Sequence, residues 1–295
     1  MRIGLLGTGP WAQMAHAPAL DAHSGLDFVG VWGRRPEATK ELAGQHGVRA
    51  YDDVDTLLAD VDAVAVALPP RVQAELAVRA ARAGRHLLLD KPLAATVPEA
   101  RAVAEAAREA RVASVVFFTA RFQTETDAWI AEQAATEGWF LARAQWLGSV
   151  FSSDSPFAAS AWRREKGALW DVGPHALSVL LPVLGDALRV TSATHGPGDT
   201  VLLVLDHADG ASSTLTLSLT APPAAAGAEV ELRGTAGVTR LPDSSESAVA
   251  ALTRAADALL SAAATGRPHP CDASFGLRVT EILAEAEVML GERAG

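Results

Sequence analysis

The chain opens with Ile3-Gly4-Leu5-Leu6-Gly7-Thr8-Gly9-Pro10-Trp11-Ala12, and this stretch decides the expected fold. The apolar run predicts a buried strand. The six residues after it, Gly7 to Ala12, match the G-x-G-x-x-G/A fingerprint that binds dinucleotides when it joins a strand to a helix. Gly7 permits a tight turn, Gly9 lets a pyrophosphate approach the backbone, and the helix directs its N-terminal amides and positive dipole end at the phosphates. We therefore expect Gly7, Thr8, Gly9, Pro10, Trp11 and Ala12 to bind a dinucleotide.

Short apolar runs alternate with alanine-rich helical stretches through the first part of the chain, the pattern of a parallel sheet with helical crossovers. The predicted strands are Ile3-Leu6, Asp27-Trp32, Ala63-Ala67, His86-Leu89 and Ser114-Phe118. Right-handed crossovers then give a doubly wound Rossmann layer, which we assign to residues 1–119.

The end of the second strand indicates which dinucleotide binds. A carboxylate normally accepts hydrogen bonds from the adenosine ribose there, but this chain reads Gly33-Arg34-Arg35. Guanidinium groups form bidentate hydrogen bonds with phosphate oxygens, and Gly33 leaves room for a 2′-phosphate. The pattern favours NADP over NAD. If both arginines are solvated loop residues instead, the preference stays open.

Composition narrows the class of protein. With 295 residues, 49% hydrophobic and 20% charged, the chain is long enough for two globular domains. A net charge of −10 argues against nucleic-acid binding and favours a small-molecule substrate. Cys271 is the only cysteine, so we expect no disulfide and no metal site. No apolar run approaches roughly 18 residues and Met1-Arg2 leads directly into a strand, so we expect a cytoplasmic protein without a membrane span.

The second half has a different pattern, in which Leu215, Leu217 and Leu219 alternate with hydroxyl residues as in a half-buried strand. Turn signals at Asp209-Gly210 and Gly234-Thr235-Ala236-Gly237 separate two predicted strand pairs, Val201-Asp206 with Ser213-Thr220 and Ala228-Arg233 with Val238-Leu241. Two helical stretches follow, broken at Gly266-Arg267-Pro268. We therefore expect residues 120–295 to form an α+β domain with a mostly antiparallel open sheet.

Two local patterns carry residues suited to catalysis. In the first, Asp171 stands four residues before His175, and with Asp171 as helix cap and Pro174 in the first turn, the carboxylate can orient the imidazole. Alternatively, Asp171 only caps the helix and His175 packs in the core. In the second, Lys91 follows the strand His86-Leu89, at the sheet edge where the nicotinamide lies, and can touch the reacting oxygen. Its alternative is an ordinary loop charge.

These patterns together resemble the Gfo/Idh/MocA family of oxidoreductases over nearly the whole chain. The motifs that carry the resemblance are the opening fingerprint, Asp90-Lys91-Pro92 where the family usually has Glu-Lys-Pro, Trp162-Arg163 leading into Gly167-Ala168-Leu169-Trp170-Asp171-Val172-Gly173-Pro174-His175, and Gly266-Arg267-Pro268-His269-Pro270. The resemblance implies that Lys91, Asp171 and His175 are catalytic and that Leu68 and Pro69 contact the cofactor. It also implies a homo-oligomer, dimer or tetramer, built through the open sheet.

Four positions depart from the family pattern. Asp90 is one methylene shorter than the usual glutamate. Pro70 and Gln73 stand where many members have asparagine and histidine near the nicotinamide ribose. Ser178 stands where polyol-oxidising members often have an aspartate that binds substrate hydroxyls, which argues against an inositol-like substrate.

The sequence thus predicts an NADP-dependent dehydrogenase or reductase, with NAD possible, acting on a secondary alcohol or ketone of a sugar-like molecule. His175 would exchange the hydroxyl proton, Asp171 would orient the imidazole, and Lys91 would bond the oxygen. The alternative is a non-catalytic dinucleotide-binding regulator of the same fold. Residues that could line the substrate pocket, or could equally be packing or surface residues, are Arg121, Phe122, Trp146, Trp162 and Arg163.

Overall fold

The structure, a computed structural model, describes residues 1–152, 155–208 and 210–292, with Glu292 described by its backbone alone. The described chain divides into two compact units. The first comprises Met1–Phe122 and Glu246–Arg278, and the second comprises Gln123–Ser245 and the residues from Val279 onward.

The first unit contains a six-stranded parallel sheet in the order β3-β2-β1-β4-β5-β6. The strands are β1 (Arg2–Leu6), β2 (Asp27–Trp32), β3 (Arg49–Tyr51), β4 (Ala63–Val66), β5 (His86–Asp90) and β6 (Ser114–Phe117). The predicted doubly wound layer is confirmed. The sequence prediction missed β3, which has three residues and buries only Tyr51, too little to produce a hydrophobic pattern.

The second unit contains a six-stranded sheet in the order β12-β11-β7-β10-β9-β8. Its strands are β7 (Trp139–Leu147), β8 (Ala187–His195), β9 (Val201–His207), β10 (Ser212–Ser218), β11 (Gly227–Gly234) and β12 (Gly237–Arg240). All neighbouring pairs are antiparallel except β7 and β10, so the expected mostly antiparallel sheet is confirmed, as are both predicted strand pairs. Asp209, in the first predicted turn, lies outside the described residues.

Helices cover these sheets. In chain order they are α1 (Ala17–Ala22), α2 (Pro36–Gln45), α3 (Val54–Asp60), α4 (Pro70–Arg82), α5 (Val97–Ala110), α6 (Thr124–Ala134), α7 (Ala161–Asp171), α8 (Gly173–Leu184), α9 (Ala248–Thr265) and α10 (Ala273–Glu292). A π-helical turn, Ala12–His16, precedes α1. In the second unit α7 and α8 contact one face of the sheet, which buries Ala144, Leu215 and Val230, and the opposite face leaves Leu141 and Leu202 exposed.

Helix α9 accounts for the difference between the predicted and observed domain boundaries. The sequence assigns everything after residue 119 to the second domain, yet α9 belongs to the first unit and packs against β5 and β6. The Ser247 side chain caps its start by accepting from the Ala250 amide at 3.1 Å, and Gly266 ends it at φ 67°. Its apolar stripe, which includes Leu252 and Leu259, is buried against that unit. Burial of this stripe therefore returns the chain to the first unit.

Two helical stretches of the described chain are long and apolar enough to meet a length and composition criterion for a membrane span. In Ala161–Leu184, 83% of the most apolar 18-residue window is buried, and the stretch is interrupted at Gly167, where φ is 65°. The other, Ala248–Thr265, is α9. Core helices of globular proteins meet the same criterion, so these stretches are weak evidence for a membrane.

Candidate functional site

The segments expected at the cofactor lie at one edge of the parallel sheet. Leu6 at the end of β1 pairs with Trp32 of β2 and with Val66 of β4, and β4 in turn pairs with β5. Gly7, Gly33, Leu68 and Lys91 follow the carboxyl ends of these strands. Lys91 therefore lies at the same sheet edge as the glycine-rich turn, and its role there stays a prediction.

The glycine-rich turn has the geometry that a pyrophosphate needs. Gly7 has φ 131°, and a Cβ there would lie 2.3 Å from the Ala67 carbonyl oxygen, so only glycine fits. At Gly9 no heavy atom lies within 4 Å of the Cβ position, so that side of the turn is open. The chain is helical from Pro10 onward, and buried Ala12 lets this helix pack closely on the sheet. The residues present fit a dinucleotide.

The geometry at the end of β2 contradicts the expected role of Gly33 and leaves the preference for NADP a prediction. A Cβ at Gly33 would lie 2.7 Å from Thr8 Cγ2 and 2.9 Å from Thr39 Oγ1, so glycine is required by these threonines and does not leave room for a phosphate. Arg34 and Arg35 are both exposed just before α2. Neither forms an ion pair with the residues that the structure describes. These guanidinium groups are therefore available to an anion.

The backbone around Lys91 is held by Gln73, a buried residue of α4. Its Nε2 donates to the carbonyl oxygens of Asp90 at 2.7 Å, Pro92 at 3.1 Å and Leu93 at 3.2 Å, and its Oε1 accepts from the Asp90 amide at 2.8 Å. Sequence reasoning noted Gln73 only as a departure from the family. A glutamine on the helix face that also carries Ala77 and Ala80 is the signal that could have identified a buried polar contact.

Asp171 does not have the role of helix cap that the sequence predicts. It is the last residue of α7, and α8 begins at Gly173 after Val172, whose φ of −105° and ψ of −19° lie in the helical region. Val172, and not Asp171, therefore occupies the N-cap position of α8, and no side-chain hydrogen bond caps this helix start in the described chain. Pro174 does occupy the first turn of α8, as predicted. The Asp171 carboxylate instead accepts a hydrogen bond from Arg163 Nε at 2.8 Å.

Arg163 lies between two aromatic rings while it pairs with Asp171. Its guanidinium carbon is 4.7 Å from the ring centroid of Phe157 and 4.7 Å from that of Trp162, and its Nη1 donates to Ser160 Oγ at 3.4 Å. The sequence prediction gave Trp162 and Arg163 to the substrate. Their placement favours orientation of Asp171, and substrate contact stays a prediction.

His175 is half-buried in the first turn of α8 and stacks on Trp146 of β7, with ring centroids 5.3 Å apart and an interplanar angle of 11°. Stacking of this kind restricts rotation of the imidazole, a role that sequence reasoning could not assign to Trp146. Ser178 is fully buried and its hydroxyl donates to the His175 carbonyl at 2.8 Å.

The predicted site residues are distributed over both units. Lys91 and Arg121, which lies in the 3₁₀ turn Thr119–Phe122, belong to the first unit. Asp171, His175, Trp162 and Arg163 belong to the second. The structure brings Asp171 together with Arg163, and the Arg163 guanidinium in turn lies over the Trp162 ring. Convergence of Lys91 with His175 on one substrate stays a prediction.

Two protein-family models match most of the chain. A model described as "Oxidoreductase family, NAD-binding Rossmann fold" matches residues 1–118, and one described as "GFO/IDH/MocA C-terminal domain" matches residues 140–240. The D-xylose 1-dehydrogenase (NADP(+)) 2 of Haloferax volcanii is 30% identical over 75% of this chain and 70% of its own length. An uncharacterised oxidoreductase of Synechocystis is 32% identical over 63% of this chain.

The chain spans about half the length of the first curated relatives, for example 52% of the Synechocystis protein. Among solved structures, a levoglucosan dehydrogenase in complex with NADH superposes with a TM-score of 0.86 at 19% identity, covering 99% of this chain and 97% of that one. At this identity the likeness shows the fold.

Proposed function

The chain belongs to the Gfo/Idh/MocA family of oxidoreductases, and from this premise we propose that it transfers a hydride between NADP and a hydroxyl- or keto-bearing carbon of a sugar-like molecule. The observation that carries the proposal is the shared sheet edge, where the glycine-rich turn follows β1, Arg34 follows β2 and Lys91 follows β5 of one parallel sheet. Open α/β sheets bind their ligands at this edge.

Each polar residue has a distinct part in the proposed reaction. The nicotinamide, when bound, supplies the acceptor or donor of the hydride. His175 takes the hydroxyl proton on its imidazole during oxidation and returns it during reduction. Lys91 donates a hydrogen bond to the same oxygen and stabilises the negative charge that develops there. Asp171 orients the imidazole, and the Arg163 bond at 2.8 Å fixes the orientation of Asp171.

The preference for NADP is part of the proposal. Exposed Arg34 and Arg35 offer cations at the end of β2, where an acidic residue would repel a 2′-phosphate. The Haloferax volcanii relative, 30% identical, is named as an NADP-dependent D-xylose dehydrogenase, which supports both this cofactor and a sugar substrate.

We also propose a homo-oligomer that forms through the open sheet face. Leu141, 37% exposed, and Leu202, 39% exposed, lie on the face opposite to α7 and α8. Light scattering on the purified protein is expected to give the mass of a dimer or tetramer, and a monomer at working concentration would contradict the proposal.

A turnover panel tests the proposed activity. The purified protein is assayed with D-xylose, inositol and levoglucosan, each with NADP⁺ or NAD⁺, and with keto sugars and NADPH in the reverse direction. We expect turnover of at least one compound, faster with the phosphorylated cofactor, and loss of that turnover in Lys91→Ala. The matched control is Lys40→Ala, an exposed lysine on α2. Tight cofactor binding with no turnover of any compound would contradict the proposal and favour the regulator.

A further inference from the structure

His16 is a fully buried polar residue that the proposed reaction leaves unexplained. It ends the π-helical turn Ala12–His16, which continues directly from the glycine-rich turn. Neither ring nitrogen makes a hydrogen bond with the described residues. Burial of a polar group without such a bond costs free energy, so a specific interaction is needed to keep this imidazole in the interior.

The interaction available to His16 is with Asp90, whose Oδ2 lies 3.6 Å from His16 Nε2. Edge-on contacts with two aromatic rings fix the imidazole plane: the ring centroids of Trp11 and Phe117 lie 6.5 Å and 6.3 Å from that of His16. The other carboxylate oxygen of Asp90 accepts a hydrogen bond from the Lys91 amide at 2.9 Å. One carboxylate therefore joins the buried histidine to the backbone of the lysine.

We propose that His16 is a positioning residue that couples the dinucleotide-binding turn to Lys91 through Asp90. The inference rests on the proposed function, because it takes Lys91 as the group bonded to the substrate oxygen. The helical segment that begins at Pro10 would present its N-terminus to the pyrophosphate and carries His16 near its middle. Gln73 holds the backbone on both sides of Lys91 from α4, and His16 contacts the Asp90 carboxylate from the cofactor helix, so cofactor and lysine keep a fixed relation.

Three variants test this coupling. His16→Ala removes the imidazole, and His16→Gln keeps a polar group that can reach Asp90. The matched control is His23→Ala, which removes a second buried histidine, at the other end of α1, whose Nε2 lies 3.1 Å from Asp257 Oδ1. The kcat and KM are measured with the compound of the panel that is turned over, NADPH binding by fluorescence, and amide exchange over residues 86–94 by mass spectrometry.

We expect His16→Ala to lower kcat by up to about 100-fold, because a displacement near 1 Å at a catalytic group can have that effect. The dissociation constant for NADPH is expected to stay near the wild-type value, and the Lys91 region is expected to exchange faster. His16→Gln should recover part of the rate. His23→Ala should lose stability without a comparable loss of kcat.

The inference is overturned if His16→Ala loses no more kcat than His23→Ala, or if exchange over residues 86–94 is unchanged. Lys91→Ala distinguishes failure of this inference from failure of the proposed function. If Lys91→Ala is inactive while His16→Ala is normal, the inference fails and the proposed function stands. If Lys91→Ala has near-normal turnover, the catalytic role of Lys91 fails and the inference fails with it. If no compound is turned over, the proposed function fails, and amide exchange over residues 86–94 alone tests whether His16 positions the Lys91 backbone.

Discussion

Arg34 is the residue on which the proposed cofactor preference depends. It is exposed directly after Gly33 at the end of β2, and no carboxylate of the described chain neutralises it. Glu37, in the first turn of α2, lies three residues along the chain and is exposed as well. A 2′-phosphate can therefore approach Arg34 from solvent without breaking an existing ion pair.

We predict that Arg34→Ala raises the KM for NADP by about 10- to 100-fold, the equivalent of one charge-assisted hydrogen bond or bidentate pair. The KM for NAD should change little, because NAD lacks the phosphate. Initial rates with both cofactors measure this, with Arg82→Ala, an exposed arginine of α4, as control. Equal losses for both cofactors, or a wild-type preference for NAD, would contradict the assignment.

His175 and Asp171 are expected to differ in what their substitution removes. His175→Ala removes the proton-exchanging group and should lower kcat by about 10²- to 10⁴-fold with little change in cofactor binding. Asp171→Asn keeps the imidazole but alters its orienting partner, so a partial loss is expected. The measurements are kcat and the NADPH dissociation constant for each variant. His195→Ala, an exposed histidine of β8, is the control, and near-normal turnover in His175→Ala would refute the role.

Individual residues show what sequence could and could not establish. Gly7 was predictable, because a glycine-rich turn after a strand has a known backbone requirement, and its φ of 131° satisfies it. Asp171 was predicted as a helix cap and is a partner of Arg163 instead. The two are eight residues apart, and the kink at Gly167 that lies between them depends on tertiary packing that local pattern does not encode.

At the scale of elements, β5 carries a titratable group that links stability to pH. Burial lowers the pKa of His86 from 6.5, although the nearby Asp62 acts in the opposite direction. His86 Nδ1 accepts a hydrogen bond from the Ala113 amide at 2.9 Å, which requires an unprotonated nitrogen. The folded state therefore favours the neutral ring more than the unfolded chain does.

Because the folded pKa of His86 is depressed, its contribution to stability is present above pH 6.5 and is lost as pH falls through the folded pKa. We predict that His86→Asn, whose amide oxygen can accept the Ala113 bond, loses less stability on acidification than the wild type. Urea unfolding at about pH 8 and about pH 5.5 measures the difference. An equal loss in both proteins would show that His86 does not contribute.

Strands differ in how well the sequence predicted them. The central strands of the parallel sheet are buried on both faces and read as continuous apolar runs, so β1, β4 and β5 were found. Strand β7 was missed because its core positions Ala142 and Ala144 are alanines, which rarely mark strands. The π-helical turn Ala12–His16 has no sequence signal that separates it from an α-helix.

For the whole molecule, the fold class was predictable and the chain path was not. The types of both sheets could be predicted from their hydrophobic periodicities. The return of the chain to the first unit at Glu246–Arg278 could not. An amphipathic helix such as α9 shows in sequence which of its faces is buried, and the surface that receives that face is set by tertiary packing. The sequence therefore did not predict that the first unit is made of two separate segments of the chain.

The central claim is that the protein moves a hydride between nicotinamide and a substrate carbon, and isotope transfer tests it most directly. NADPH carrying deuterium at both C4 positions of the nicotinamide is incubated with the protein and the keto sugars of the panel, and the product is analysed by mass spectrometry. We predict that the reduced sugar carries one deuterium at the former carbonyl carbon and that Lys91→Ala forms little of this product. Binding of NADPH without deuterium in any product would contradict the claim.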